Sequence, residues 1–546
     1  MSHRFEKHAR TVTLLTLVSR MTGLARDAAL SRIFGVSPLM DAFWFAFMIP
    51  NLFRRLFGEG ALSSAFLPVY TRLHASDPAS ARRLASLTLG LMVATLGGLT
   101  LIAEIVLFIL SMRAGHDHLA LRLMEVMLPY MPLVCLVAII GAMLQVHGRF
   151  GPTAAAPILL NLFIVVAAIG FASRGAFAPD QANDANHKTL HITIVAASVL
   201  AAGIVQVAWS LLALRRTGAI SDSASPPILK SPDHPIAKSF KEVLSQFWPM
   251  FIGLGVLQVN TFVDGLIASW PSTIGPTIFG YDFPLDPGAL TALSNAQRLY
   301  EFPLGVFGIA VATAIFPALA RAAGDGEMFA DILRRGLRLV IFIGLPASVG
   351  LILVRTPLTA AILQGKNFTE ADTARVGFVL MGYAPAIWAY SMTHTLTRAF
   401  YAKGDSKTPV KVAVTMVLLN FALNMTLIWT PLKEAGLAWS TAGCAIVQVG
   451  ILLRLTRRHA SHIVNETVLW SWMKTVLVTA VMAIAVMLVA QRLPARWVDR
   501  EWSAVDVNAM INLAILVATG AATVIASSLI LRMPELAWAA GKSRSV

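Results

Sequence analysis

Apolar residues run in blocks of about twenty along most of the chain, separated by short polar stretches. An α-helix rising about 1.5 Å per residue needs about 20 apolar residues to cross hydrocarbon about 30 Å thick. Measured that way, the pattern predicts fourteen helices. They lie near residues 10–33, 39–57, 84–111, 119–147, 153–173, 190–214, 242–269, 288–317, 332–354, 374–401, 409–430, 435–455, 470–490 and 509–531. The apolar block after the basic start MSHRFEKHAR contains Arg20, Arg26 and Asp27 and ends in no small-residue cleavage site. It therefore reads as a retained first membrane helix rather than a cleaved signal.

Two segments repeat. LQVHGRFGPTAAAPILLNLF spans 144–163 and AFYAKGDSKTPVKVAVTMVLLNF spans 399–421. Each reads as a helix end, a basic loop with Gly and a Pro/Thr pair, and a helix carrying LLN. They fall six predicted helices apart. The expected architecture is an all-α integral membrane protein of about 14 transmembrane helices: two parallel six-helix lobes (helices 1–6 and 7–12) plus two extra helices. The expected division is an N-terminal lobe over 1–216, a cytoplasmic linker over 217–241, a C-terminal lobe over 242–458, and helices 13–14 with a cytoplasmic tail over 459–546. Parallel repeats of this kind flank a substrate site near the bilayer midplane.

Composition agrees with a membrane protein. Hydrophobic residues make up 56% of the chain and charged residues 13%, where a soluble protein carries about 25% charged. The net charge of +15 follows from the distribution of Lys and Arg rather than from nucleic-acid binding, since long basic tracts and base-stacking motifs are absent. Arg4, Lys7 and Arg10 precede the first helix, and Arg72, Arg82, Arg83, Arg149, Arg215, Arg216, Arg334, Arg335, Lys403 and Lys407 fall in alternate gaps. The gap 270–287 has neither Lys nor Arg. The positive-inside rule then puts both termini in the cytoplasm; Arg492, Arg496 and Arg500 in the gap 491–508 run against it. Cys135 and Cys444 lie in apolar blocks, without metal-type spacing.

The candidate chemistry is cationic. An ionised side chain in hydrocarbon costs at least about 2.5–3.5 kcal/mol, so intramembrane charges mark function. Ser19, Gly23 and Arg26 share one helical face, with Arg20 and Asp27 on the neighbouring one. Asn51, Arg54 and Arg55 cluster after Pro50, with Glu59 four residues beyond Arg55 and Asp41 near the start of that block. Arg298 and Glu301 sit one turn apart, before Pro303, Gly305 and Gly308. A guanidinium keeps its proton and matches phosphate oxygens with a planar fork of donors. Convergence of Arg26, Arg54 or Arg55, and Arg298 would hold a diphosphate, with Glu59 and Glu301 orienting the arginines. The plainer alternatives are an Arg26–Asp27 structural ion pair and interfacial anchoring by Arg54 and Arg55.

Several motifs recur in order: Ser19-Arg20, GLARD (23–27), Phe34-Gly35, Asp41-Ala42-Phe43, PNLFRRLFGEGALSSAFLP (50–68), QRLYEFPLGVFGIAVATAIFPALAR (297–321) and AFYAKGDSKTP (399–409). In these the chain resembles the MurJ (MviN) lipid II flippases of bacterial peptidoglycan synthesis. The resemblance runs from helix 1 to helix 12; helices 13–14 match in position and hydrophobicity only. It implies a transporter of the multidrug/oligosaccharidyl-lipid/polysaccharide (MOP) exporter superfamily in the bacterial inner membrane. Such a protein moves undecaprenyl-diphosphate-disaccharide-pentapeptide (lipid II) from the cytoplasmic to the periplasmic leaflet by alternating access. It works in line with cell-wall synthesis enzymes and has no enzymatic cofactor. The site residues implied are Ser19, Arg20, Arg26, Asp27, Asp41, Arg54, Arg55, Glu59, Arg298 and Glu301, with Lys366 a weaker match; Asn51 joins the expected substrate-binding set from its cluster with Arg54 and Arg55. The two extra helices would hold the polyprenyl tail. Sodium (Na+) or the membrane potential would supply energy, with Asp264 and Asp405 the carboxylates to test for the ion; Asp405 also reads as a turn residue.

Other readings fit the residues less well. A flippase for another polyprenyl-diphosphate glycan is the nearest. A multidrug exporter handling cations calls for a carboxylate-lined cavity. An enzyme acting on polyprenyl diphosphates calls for paired carboxylates or an acid–base histidine, yet there is no Asp-Asp pair, HExxH or P-loop, and His147 and His394 are isolated. An ion channel is disfavoured by the two-fold repeat.

Overall fold

The computed structural model describes residues 2–58, 60–114, 118–173, 185–218, 235–460, 463–494 and 506–541. Glu59, most of the expected linker and the arginines at 496 and 500 lie outside the described residues. The chain is almost wholly helical, as hydrocarbon requires: a helix satisfies its own backbone polar groups where no water can. It forms two compact units, Met1–Tyr281 and Asp282–Val546.

The first unit contains α1 (Ser2–Phe34), α2 (Pro38–Phe53), α3 (Ala61–Ser76), α4 (Pro78–Ala114), α5 (Leu119–Met127), α6 (Tyr130–Val146), α7 (Gly151–Ser173), α8 (Ala185–Arg215) and α9 (Pro235–Thr273). α9 begins inside the stretch read as linker and packs on α2 and α3. α1 packs on α7, and α7 on α8. Gln206 of α8 ties three helices together, donating to Ala156 O at 2.6 Å and facing Tyr130 Oη at 3.5 Å.

A short pairing of Thr277–Ile278 (β1) with Tyr281–Asp282 (β2) follows α9. The second unit contains α10 (Ala289–Pro303), α11 (Ala310–Arg321), α12 (Gly326–Leu363), α13 (Glu370–Tyr383), α14 (Ala386–Ala402), α15 (Lys407–Leu427), α16 (Ala435–Thr456), α17 (Glu466–Ala490), α18 (Val507–Ile530) and α19 (Pro534–Ala539). Its core is built from Leu333, Leu337, Leu396, Phe400, Val449 and Leu452 on α12, α14 and α16. The hairpin α17–α18 packs along α12 through Val354, Met482, Val486 and Leu516.

Each predicted block is helical. Nine helices among the described residues are long and apolar enough to cross a membrane. The other blocks carry charges or are interrupted. Leu101, Ile102 and Phe108 of α4 are each at least 60% exposed, a contiguous apolar surface that suits lipid and not water.

The structure differs from the sequence reading at the breaks. The second block continues past residue 57 into a separate helix, α3. That helix buries Leu62, Ala65, Phe66, Val69 and Tyr70 on one face, while Ser63, Ser64, Thr71 and Arg72 keep it too polar to register as an apolar block. The fourth block divides at Leu128–Pro129 and the tenth at Ala384–Pro385. π-helical turns follow two prolines: Arg54–Gly58 after Pro50, and Leu304–Ile309 after Pro303. A proline lacks the amide that closes the i to i−4 bond, and a wider turn absorbs the mismatch. Both charged blocks therefore contain a loosened turn, at the end of the block 39–57 and within the block 288–317.

Candidate functional site: buried and half-buried cations

Arg26 is buried and held by polar side chains. It is 6% exposed, and its neighbour Asp27 is 3% exposed. Arg26 Nε and Nη2 donate to Asp27 Oδ1 at 2.8 and 2.6 Å, and Nη1 donates to Asn161 Oδ1 at 3.1 Å. The guanidinium carbon lies 5.6 Å from the Trp44 ring centroid. One cation thus draws on α1, α2 and α7. Asn161 in turn donates through Nδ2 to Thr22 Oγ1 at 3.1 Å and to Ser19 O at 3.3 Å. Ser19 enters the site through its backbone carbonyl.

Asn161 falls within the LLN repeat, which by itself gives it no role, and Trp44 lies in an aromatic-rich apolar block. A polar amide in a block of lipid-spanning length was the available signal for Asn161. Nothing local distinguished Trp44 from a core aromatic. The repeat partner Asn420 behaves comparably in the second unit: its Nδ2 donates to Ser440 Oγ at 3.1 Å, and Asn424 Nδ2 donates to its Oδ1 at 3.1 Å.

The remaining residues fall into separate groups. Arg20 is exposed, so the face it shares with Asp27 passes from open to buried along α1. Asp41, in the first turn of α2, is fully buried and accepts from Ser272 Oγ at 2.6 Å; a helix N-terminus favours such an anion. Arg54 is half-buried and donates through Nε and Nη2 to Asn51 Oδ1 at 3.0 and 2.8 Å. Arg55 is half-buried in the same π-turn. In the second unit Arg298 Nη1 lies 3.9 Å from Glu301 Oε2, with side chains 41% and 38% exposed. Gln297 Nε2 donates to Glu301 Oε1 at 3.0 Å, so Glu301 serves Gln297 as well as Arg298. Lys366 is exposed in the loop after α12.

The two sodium candidates differ. Asp264 Oδ2 accepts from Asn260 Nδ2 at 3.2 Å, an oxygen-bearing pair of the type hard cations use. Asp405 follows Gly404, whose φ is +75°, and its Oδ1 accepts from Thr408 N at 3.0 Å while Oδ2 lies 3.5 Å from His459 Nε2. Hydrogen bonds from Thr408, then the contact with His459, hold this carboxyl below the usual range. One oxygen is engaged at the start of α15 and the other faces His459, which does not fit a cation seat. Among the described residues no group of three His, Cys, Asp or Glu is placed to hold a metal ion.

Long apolar helices mark a polytopic helical membrane protein, and a buried cation supported by polar side chains marks a functional site within it. The family model "Lipid II flippase MurJ" matches residues 30–504, and the chain belongs to that family. It is 30% identical over 501 residues to a probable lipid II flippase MurJ of Vibrio cholerae, covering 88% of each chain. It is 29% identical over 461 residues to the lipid II flippase MurJ of Burkholderia cenocepacia, covering 82% of this chain and 83% of the other. Its fold is similar to a solved lipid II flippase MurJ in an inward closed conformation, with a TM-score of 0.70 at 22% identity over 95% of this chain and 98% of the other. It is similar in fold also to an inward-facing multidrug resistance MATE transporter of the MOP superfamily, with a TM-score of 0.62 at 15% identity over 83% of this chain and 98% of the other.

Proposed function

We propose that this protein flips lipid II across the bacterial cytoplasmic membrane. Both termini are cytoplasmic, and transport runs toward the periplasmic leaflet by alternating access. The observation that carries this reading is the family match across residues 30–504. The likeness to multidrug transporters is one of fold.

Physics supports the role. A diphosphate headgroup cannot cross hydrocarbon unaided, and it needs cationic donors while its polyprenyl chain stays in lipid. Arg54 and Arg55, half-buried in a π-turn, are the headgroup donors we assign in the first unit; in the second unit, taken by itself, the donor we assign is Arg298. Arg26 takes part by exchanging Asp27 for phosphate oxygens. Equal affinity in both states would drive nothing, so these donors must bind the diphosphate more tightly in the inward state. The α17–α18 hairpin lies along the polyprenyl chain. Movement of charge through the membrane potential, about 2.3 kcal/mol per charge per 100 mV, is the proposed energy source. Sodium at Asp264 is the alternative, tested by sodium dependence of transport in Asp264→Asn. Enzymes that make and use lipid II are the proposed functional partners.

The test is complementation of a bacterium depleted of its own flippase, read by the appearance of lipid-linked precursor at the outer surface. Rescue by the wild-type chain supports the proposal; a chain that inserts but leaves the precursor inside overturns it.

A further inference from the structure

One buried carboxylate joins three helices at the end of the second unit. Glu535 of α19 is 1% exposed. Its Oε1 accepts from Arg338 Nε at 2.7 Å and from Ser471 Oγ at 2.6 Å, and lies 2.6 Å from Arg338 Nη2. Arg338 belongs to α12 and Ser471 to α17. The Arg338 guanidinium carbon also lies 5.0 Å from the Trp538 ring centroid. The chain turns sharply into this contact. Arg532 takes a φ of +49°, Met533 N donates to Ser528 O at 2.9 Å, and Lys474 Nζ of α17 donates to Leu531 O at 3.3 Å.

Burial of this pair is costly. Glu535 Oε2 is buried with no hydrogen-bond partner among the described residues, and well-packed apolar residues would often be as stable. α19 is also too short to hold a helical form unaided. Elsewhere the hairpin meets α12 through apolar side chains: Val354, Met482, Val486 and Leu516 in one cluster, Ala360, Ala361 and Ala509 in another. Apolar contact is non-directional and tolerates sliding. A guanidinium fork closed on one oxygen, with an indole over its face, does not.

We propose that Arg338 and Glu535 form a latch that fixes the register of the α17–α18 hairpin on α12, and that they are positioning residues for transport. The second clause rests on the flippase reading, in which the lipid's hydrocarbon chain lies along that hairpin.

The test uses the full chain in lipid nanodiscs. Hydrogen exchange in Glu535→Gln should rise about tenfold over α19 and the last turn of α18, with α14–α16 unchanged. Arg338→Lys, which keeps the charge and loses the fork, should lie between wild type and E535Q in exchange and in transport. Transport of lipid II should fall several-fold in E535Q. If E535Q does not reach the membrane, Glu535→Ala paired with Arg338→Ala, which leaves no lone charge and no apolar replacement for the contact, carries the same expectations. Unchanged exchange overturns the latch. Raised exchange with wild-type transport overturns the positioning role. Absence of transport in the wild type overturns the flippase reading and with it the positioning role, while the exchange result still decides the latch.

Discussion

Asn161 and Arg26 lie 135 positions apart in the chain and share a hydrogen bond of 3.1 Å. The bond fixes a cation of α1 to an amide of α7, and the same amide reaches back to Ser19 O and Thr22 Oγ1. Asn161 therefore sets the direction in which the guanidinium points. A hydrogen bond to a charged group is worth about 1.5–3 kcal/mol. Asn161→Leu should lower transport about tenfold or more while membrane abundance stays near wild type. Precursor exposure at the outer surface, normalised to protein in the membrane, measures this; wild-type transport in N161L would remove Asn161 from the site.

Arg26→Ala and Asp27→Ala should each destabilise the protein, because breaking a buried pair leaves one charge uncompensated, at about 3–5 kcal/mol. Arg26→Lys should fail to rescue growth, since one ammonium cannot donate in the directions of Nε, Nη1 and Nη2 at once. Thermal unfolding in detergent and complementation report the two effects separately. Full rescue by R26K would show that charge alone suffices.

Arg298 and Glu301 should behave oppositely. Their contact is long and both side chains are more than a third exposed, and such pairs contribute about 0–1 kcal/mol. Arg298→Ala should leave Tm within error of wild type and abolish complementation. A lowered Tm in R298A would indicate a structural role instead.

Gly436→Ala should destabilise the second unit. An added Cβ would stand 2.9 Å from the backbone C and O and the Cβ of Leu427, at the end of α15, and backbone cannot swing aside as a flexible side chain does. Overpacking of this kind costs about 1–3 kcal/mol. Thermal unfolding checks it: an unchanged Tm would mean that the start of α16 yields readily.

The Asp405 turn predicts a pH dependence. Its carboxyl is held below the usual value by Thr408 and His459, so the ionised form is favoured in the folded state. That stabilisation is present above the unfolded carboxyl's pKa and disappears as pH falls through the lower folded value. The Tm difference between wild type and Asp405→Asn should be present at pH 5, about one unit above the usual aspartate pKa. It should shrink on acidification below the usual aspartate range. A difference independent of pH throughout would show that the charge of Asp405 does not cap α15.

Much of this molecule could be read locally. Apolar length marks a membrane helix wherever it occurs, so the helical character of the predicted blocks was legible, and nine helices among the described residues are long and apolar enough to span. Arg26, Asp27, Arg54, Arg55, Arg298 and Glu301 are charges conspicuous in that setting. α3 escaped because half its surface is polar. The π-turns were invisible, since Pro50 and Pro303 announce a break without specifying how the backbone closes it.

The sequence by itself determined the medium, the helices and the inventory of charges, because desolvation acts on each residue wherever the chain runs. Only the tertiary structure decided which charges are paired and buried. That Arg26 closes on Asn161 and Trp44, and Arg338 on Glu535, depends on helix rotation and depth. Packing sets these between different helices, with Arg26–Asn161 and Arg338–Glu535 each more than a hundred residues apart in the chain, where no local periodicity carries them.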